Sequence, residues 1–171
     1  MNTYHATPYD ISASGFYFKT YEEYQEKAAK HRNAYGDPVE EYEIQFIDGY
    51  DCELFDALSV NQGNLETWFE EFEGQYDGED LVKALYLLRD IGLSMGDLDS
   101  RKLDDVMLFE GTMTDYAEQY LDDTGIFDAV EKAGLNPCYV DVASYARDLE
   151  MDGCLTTFDH DASRYVVEYM G

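Results

Sequence analysis

Positive charge is the scarcest property of this 171-residue chain, which has 11 Lys and Arg residues against 38 Asp and Glu residues. Its formal net charge of −27 is spread along the whole chain and is not confined to an acidic tail. Such a chain is repelled by nucleic acid and by anionic membrane surfaces, which excludes direct binding to either as its main function. We therefore expect a basic macromolecule as its partner.

Cysteine is rare, and long apolar runs are lacking. The three cysteines are Cys52, Cys138 and Cys154, and no signal-peptide pattern opens the chain. An odd cysteine count in this context favours a reducing cytoplasm over a disulfide framework. No apolar run approaches the ~20 residues that a transmembrane helix needs. We expect a cytoplasmic protein.

Catalytic and cofactor motifs are also lacking. The chain has no GxSxG, Walker A or dinucleotide fingerprint, and its three histidines have no metal-ligand spacing. Residues 97–102 begin like a calcium loop but have Arg101 at the fifth position and no glycine at the sixth. We therefore expect no enzyme activity, no metal and no cofactor. A distant Cys–His nucleophile pair, a carboxylate-based metal hydrolase and a salt-adapted acidic protein stay open as alternatives.

Apolar residues are plentiful enough for packed cores, at 45% of the chain. Periodicity and turn residues predict an α+β fold with an elongated series of three small domains. We expect an N-terminal α+β domain over 1–53, a bundle of short helices over 54–103, and a C-terminal α+β domain over 104–171. The predicted elements are a strand at 15–19, a helix from Thr20 that stops by 36–38, a strand at 41–47, short helices at 52–60, from Asn64, from 78 to 92 and at 94–102, a strand at 105–110, helices at 113–124, 126–133 and 141–150, and a hairpin at 153–169.

The segment from Thr112 to Gly125 predicts one complete helix. Thr112 can cap its start, with Asp115 returning the capping bond, and Gly125 can end it in the left-handed conformation. One face is apolar, and the opposite face carries Asp115, Glu118 and Asp122. At a rise of ~1.5 Å per residue these carboxylates are ~4.5–6 Å apart. That spacing is close to the ~3.4 Å between phosphates along one DNA strand.

Two stretches of the C-terminal half resemble the ArdA-type antirestriction proteins. Residues 114–125, TDYAEQYLDDTG, resemble the antirestriction motif of the family, and residues 139–149, YVDVASYARDL, its tyrosine–aspartate helix. Residues 42–48, YEIQFID, are similar to the end of its first domain. Tyr17 stands where the family usually has tryptophan in a Gly-x-Trp strand, so the exact target stays open.

The resemblance implies a DNA mimic that is carried on a mobile genetic element and acts in the host cytoplasm. It would occupy the DNA-binding cleft in the methyltransferase core of a type I restriction–modification enzyme and block restriction or modification. A CRISPR effector or a nucleoid protein stays open as an alternative target.

The resemblance also implies a homodimer that is joined through its C-terminal domains. The candidate target-binding acids are Asp115, Glu118, Asp122, Asp123, Glu66, Glu70, Glu73, Asp104 and Asp105. The candidate dimer-contact residues are Met113, Tyr116, Tyr120, Tyr139 and Tyr145.

Overall fold

The computed structural model describes residues 1–171 and confirms a mixed α+β fold with two three-stranded sheets. The chain packs as two compact units, Met1–Leu98 and Asp99–Gly171. The first unit combines the predicted N-terminal domain with most of the predicted helical domain. The division into three domains therefore stays a prediction. None of the helices combines the length and the apolar character that crossing a bilayer requires.

The sheet of the first unit is centred on strand β1 (Thr3–Pro8), which lies between β2 (Phe16–Phe18) and β3 (Tyr42–Asp48), antiparallel to both. The predictions of β2 and β3 are confirmed, but β1 was missed. Only Tyr4 and Ala6 mark its inner face, and both are fully buried. Two apolar residues before a proline form too short an alternation to predict a strand.

Helix α1 (Tyr21–Lys30) packs beside this sheet and begins where the sequence predicts. The Thr20 hydroxyl accepts the Glu23 N–H at 3.2 Å. The Glu23 carboxylate accepts the N–H of Lys19 at 2.9 Å, not that of Thr20, so the return bond of a capping box does not form here. The helix ends at Lys30, well before the predicted stop at 36–38.

The helical part of the first unit is more irregular than predicted. It contains α2 (Cys52–Ala57), α3 (Leu65–Thr67) with a π-helical turn at Trp68–Phe72, and α4 (Gly78–Tyr86) with a π-helical turn at Leu87–Ile91. Asn64 precedes α3 but does not cap it, because its side-chain oxygen accepts the N–H of Asn61 at 2.7 Å instead. The second π-helical turn ends at Gly92, where the sequence predicts the end of the helix, and Gly92 takes the left-handed conformation. The single helix predicted at 94–102 is split into a 3-10 turn at Met95–Asp97 and α5 (Ser100–Asp104).

A buried polar network ties β1 to these helices. The indole N–H of Trp68 donates to the Tyr4 hydroxyl at 2.9 Å, and that hydroxyl donates to Glu73 Oε1 at 2.8 Å. The side-chain amide of Asn2 donates to the same Glu73 oxygen at 3.0 Å and to Asp51 Oδ2 at 2.5 Å. Burial is the main cause that raises the pKa of the Tyr4 hydroxyl. The network satisfies polar groups that the aromatic core would otherwise leave without partners.

The second unit begins with α5 and closes on its own sheet. Its further elements are β4 (Val106–Glu110), α6 (Met113–Asp123), α7 (Ile126–Lys132), a 3-10 turn at Pro137–Tyr139, α8 (Val142–Met151), β5 (Leu155–His160) and β6 (Ser163–Tyr169). The sheet order is β4-β6-β5, and both pairings are antiparallel. The predicted hairpin is confirmed, with Asp161 at its turn. Helices α6 and α8 pack on the sheet through Met113, Ala117, Ala146, Leu155 and Val166.

Tyr4→Phe should destabilise the protein by about 1–3 kcal/mol, because it leaves the buried Trp68 indole N–H without its acceptor. Urea unfolding can be followed by the fluorescence of Trp68, the single tryptophan. Tyr17→Phe, at a hydroxyl on a 59% exposed residue, is the matched control and should change stability little. Equal effects of the two substitutions would show that the network contributes nothing.

Candidate functional site

Helix α6 starts with the predicted capping box, fully formed. Asp115 Oδ2 accepts the Thr112 N–H at 2.8 Å, and Thr112 Oγ1 accepts the Asp115 N–H at 3.2 Å. The Thr112 hydroxyl also donates to Asp115 Oδ2 at 2.6 Å. These bonds hold the pKa of the Asp115 carboxyl below its usual range. After the helix, Gly125 takes the left-handed conformation with φ of 72°.

The two faces of α6 are as predicted. Met113, Ala117 and Leu121 are buried in the chain's own core. The acids of the opposite side and of the C-terminal turn all lie exposed: Asp115, Glu118, Asp122 and Asp123. The last turn of α6 contains no basic residue. The helix therefore presents its carboxylates to solvent as an array, which we call the α6 acidic face (Asp115, Glu118, Asp122, Asp123).

The other candidate acids differ in exposure. Asp104 is exposed, whereas Asp105 is half-buried and its carbonyl accepts the N–H of Met170 at 3.0 Å. In the first unit, Glu66 and Glu70 are exposed. Glu73, the third candidate acid of this segment, is instead half-buried and bonded to Tyr4 and Asn2. The π-helical turn at Trp68–Phe72 rotates Glu73 off the row that regular α-helical geometry predicts.

Three of the candidate dimer-contact tyrosines form a continuous aromatic array on α6 and α8. Tyr116 meets Phe109 edge-on at a ring distance of 5.4 Å and stacks on Tyr120 at 6.4 Å. Tyr120 in turn contacts Tyr145 at 6.1 Å. Tyr120 is 44% exposed, and Tyr139 is 78% exposed in the 3-10 turn. Burial raises the pKa of the Tyr116 and Tyr145 hydroxyls.

The fifth candidate dimer-contact residue, Met113, is only 8% exposed and packs inside its own chain. The accessible part of the predicted contact therefore consists of its tyrosines: Tyr139 by itself, and the group of Tyr116, Tyr120 and Tyr145, which we call the tyrosine array. A small cleft of about 170 Å³ adjoins it between Phe109, Tyr116 and Val166.

A larger cleft in the first unit was missed by sequence reasoning. It has a volume of about 650 Å³, and its walls include Asn2, Tyr50, Asp51, Glu73, Tyr76 and Asp77. The sequence does not predict this cleft because it does not predict β1. Asn2 lies one residue before β1 and binds Asp51, which is 49 positions away in the sequence. No local pattern links residues that far apart.

Comparison with known families places the chain. The antirestriction protein (ArdA) family model matches residues 8–164. The match spans most of the sequence, so the chain belongs to the ArdA antirestriction family, and the resemblance in its motifs is confirmed. Membership assigns it an antirestriction role, as an inhibitor directed at restriction–modification enzymes in general. Comparisons with curated proteins and with solved structures gave no match.

Asp115→Asn should lower stability at neutral pH, because the folded state holds this carboxyl ionised more strongly than the unfolded chain does. A depressed pKa stabilises the fold above the unfolded-state pKa, and that contribution is lost as the pH falls through the folded-state pKa. The difference between variant and wild type should therefore shrink in acid. Urea unfolding at pH 7 and near pH 2 measures both differences.

Asp122→Asn is the matched control for this test. Asp122 lies in the last turn of α6, where a negative charge opposes the helix dipole. The control should leave stability unchanged or raise it. A loss of stability in the control equal to that of Asp115→Asn would contradict the capping role.

Proposed function

We propose that this protein is a DNA mimic that occupies the DNA-binding cleft in the methyltransferase core of type I restriction–modification enzymes. The observation that carries the proposal is the α6 acidic face within a chain of net charge −27. Exposed carboxylates at a spacing near that of a phosphate strand offer Lys and Arg side chains the same kind of acceptor as DNA does.

The position of these acids is poorly explained by stability alone. Asp122 and Asp123 lie in the last turn of α6, where the helix dipole disfavours negative charge and where no basic residue compensates. Glu118 and Asp122 are four residues apart and repel each other. An arrangement that is unfavourable in the free protein becomes favourable against a basic partner. In the same unit, Asp104 and the half-buried Asp105 would add to the binding acids, and Glu66, Glu70 and the half-buried Glu73 would offer further carboxylates on the first unit.

Binding of the protein and of duplex DNA to the enzyme should be mutually exclusive. The displacement of a fluorescent duplex that carries the recognition sequence, followed by anisotropy, tests this directly. We expect full displacement by the wild-type protein. A complex that contains enzyme, DNA and this protein together would contradict the proposal.

The same displacement assay tests whether the binding energy is shared among many carboxylates or depends on one of them. Glu118→Gln alone should raise the half-inhibitory concentration by less than about fivefold, because single exposed ion pairs contribute only ~0.2–1 kcal/mol. Neutralising the whole α6 acidic face should raise it by tenfold or more, on the order of the summed contributions. The matched control neutralises four exposed acids elsewhere in the chain: Glu22, Glu26, Asp37 and Glu41. Equal losses from the two fourfold variants would favour a salt-adapted protein whose acids only maintain hydration.

We further propose that the protein acts as a homodimer that contacts its copy through the tyrosine array of Tyr116, Tyr120 and Tyr145, with the exposed Tyr139 as a further contact residue. Two chains of net charge −27 repel each other, so the contact must be apolar and locally poor in acid. An elongated arrangement of three domains, with the dimer contact in 104–171, belongs to the same proposal.

Dimerisation should strengthen as salt rises, because salt screens the repulsion between the two chains. Sedimentation velocity at low and high salt measures this response. Tyr120→Ala should weaken the dimer, whereas Tyr35→Ala, at an 83% exposed tyrosine of the other unit, should leave it intact. A protein that is monomeric under all these conditions would refute the dimer without touching the proposed mimicry.

A further inference from the structure

The large cleft of the first unit has a built interior. Asn2 in its wall is only 3% exposed, and its single amide nitrogen holds both Asp51 and Glu73. Glu73 is fixed a second time by the hydroxyl of Tyr4, which the buried Trp68 orients. The two carboxylates are therefore held in place before any ligand arrives.

Each of these carboxylates keeps one oxygen for a further donor. The side-chain bonds of Glu73 reach Oε1, and the bond of Asp51 reaches Oδ2. Glu73 Oε2 and Asp51 Oδ1 remain as acceptors. Because both residues are half-buried, a cation between them is screened less than a cation at the open surface.

The charge of the cleft is unbalanced. Three carboxylates, those of Asp51, Glu73 and Asp77, line it beside two cationic groups, the side chain of Lys19 and the terminal amine of Met1, both on exposed residues. Asp51 and Glu73 are half-buried, share one neutral amide and repel each other, and neither cationic group of the wall is hydrogen-bonded to them. The missing partner is a positive group with several donors.

The shape and the aromatic rim favour a guanidinium over an ammonium. A volume of about 650 Å³ easily admits one long side chain. Tyr50, which is 91% exposed, and Tyr76 supply aromatic faces, and Leu81 supplies apolar wall for a methylene stem. A planar guanidinium stacks on aromatic rings and donates to two carboxylates at once, which an ammonium does less well.

We propose that this cleft is an anchor site for an arginine side chain of the restriction–modification enzyme. The proposal rests on the proposed function, because it assumes that the partner is the basic enzyme whose DNA the acidic surface mimics. Binding in this cleft differs in kind from binding by the α6 acidic face. The α6 acidic face shares its energy over exposed charges, whereas the cleft concentrates it on one prearranged pair.

The cleft can be tested without the enzyme. Ethylguanidinium chloride is titrated into the ¹⁵N-labelled full chain at constant ionic strength, with ethylammonium chloride and MgCl₂ in parallel titrations. Saturable shifts of the Asn2 side-chain amide and of the Gly74 and Gly78 backbone amides are expected with ethylguanidinium, at lower concentration than with ethylammonium. Equal responses to both organic cations, or tighter saturation by Mg²⁺ at the same amides, would overturn the assignment.

Glu73→Gln and Glu71→Gln make a matched pair. The Glu73→Gln substitution removes the charge but keeps an oxygen that can accept from Tyr4 and Asn2. Glu71 is an exposed acid of the same segment that does not line the cleft. Glu73→Gln should weaken ethylguanidinium binding by about tenfold, as expected for a hydrogen bond to a charged group. Glu71→Gln should bind like the wild type. Trp68 fluorescence checks that the core of each variant is intact.

The DNA-displacement assay then separates the two proposals. Glu73→Gln should raise the half-inhibitory concentration by about tenfold, and Glu71→Gln by less than about twofold. If the wild type displaces DNA and the two variants are equal, the anchor site is refuted and the mimicry stands. If the wild type does not displace DNA, the mimicry falls, and the enzyme is refuted as the source of the arginine whatever the cleft binds.

Discussion

Repulsion among 38 carboxylates that face only 11 basic side chains is the constraint on which the rest of the structure depends. The fold offsets part of this repulsion by using some acids as hydrogen-bond acceptors for backbone N–H groups, so that they need no basic side chain as a partner. Asp115, Asp99 and Asp141 each accept backbone N–H groups at the start of a helix. There the helix dipole and the orphan donors favour negative charge. One of the few basic residues, Arg164, donates two hydrogen bonds to Asp159, at 2.7 and 2.9 Å.

Cohesion comes from aromatic packing, because ion pairs are too few to supply it. Tyr4 alone contacts the rings of Phe18, Phe46, Phe55 and Phe69. Tyrosine serves here as a core residue whose hydroxyl reaches a polar partner, as Tyr4 reaches Glu73 and Tyr42 reaches the carbonyl of Val39. A stable aromatic interior allows the remaining acids to stay at the surface, uncompensated. In the proposed function, these exposed acids are the groups that a basic cleft would bind.

The sequence predicted the regular elements well where local chemistry decides them. Thr112, Asp115 and Gly125 specify α6 by short-range bonds, and the structure contains each of them. The β5–β6 hairpin follows from alternation around a polar turn. Strand β1 was not predictable in this way, since its central place in the sheet depends on pairing with both β2 and β3.

In the candidate site, too, features set by local sequence were predictable and features set by long-range contacts were not. The exposure of the α6 acids follows from helical periodicity alone, so it was predictable. The burial of Glu73 was not, because a π-helical turn shifts the row and because its partners, Asn2 and Tyr4, are about 70 residues away. The cleft is built by long-range contacts, which no local pattern in a single sequence reveals.

The salt dependence of binding tests the central claim most directly. The affinity of a type I methyltransferase core for this protein is measured from about 50 to 200 mM salt and compared with its affinity for duplex DNA over the same range. If the protein engages the basic DNA-binding cleft through its carboxylates, both affinities fall steeply, with log–log slopes of the same sign. An affinity for the protein that does not change with salt, while that for DNA falls, would contradict the account.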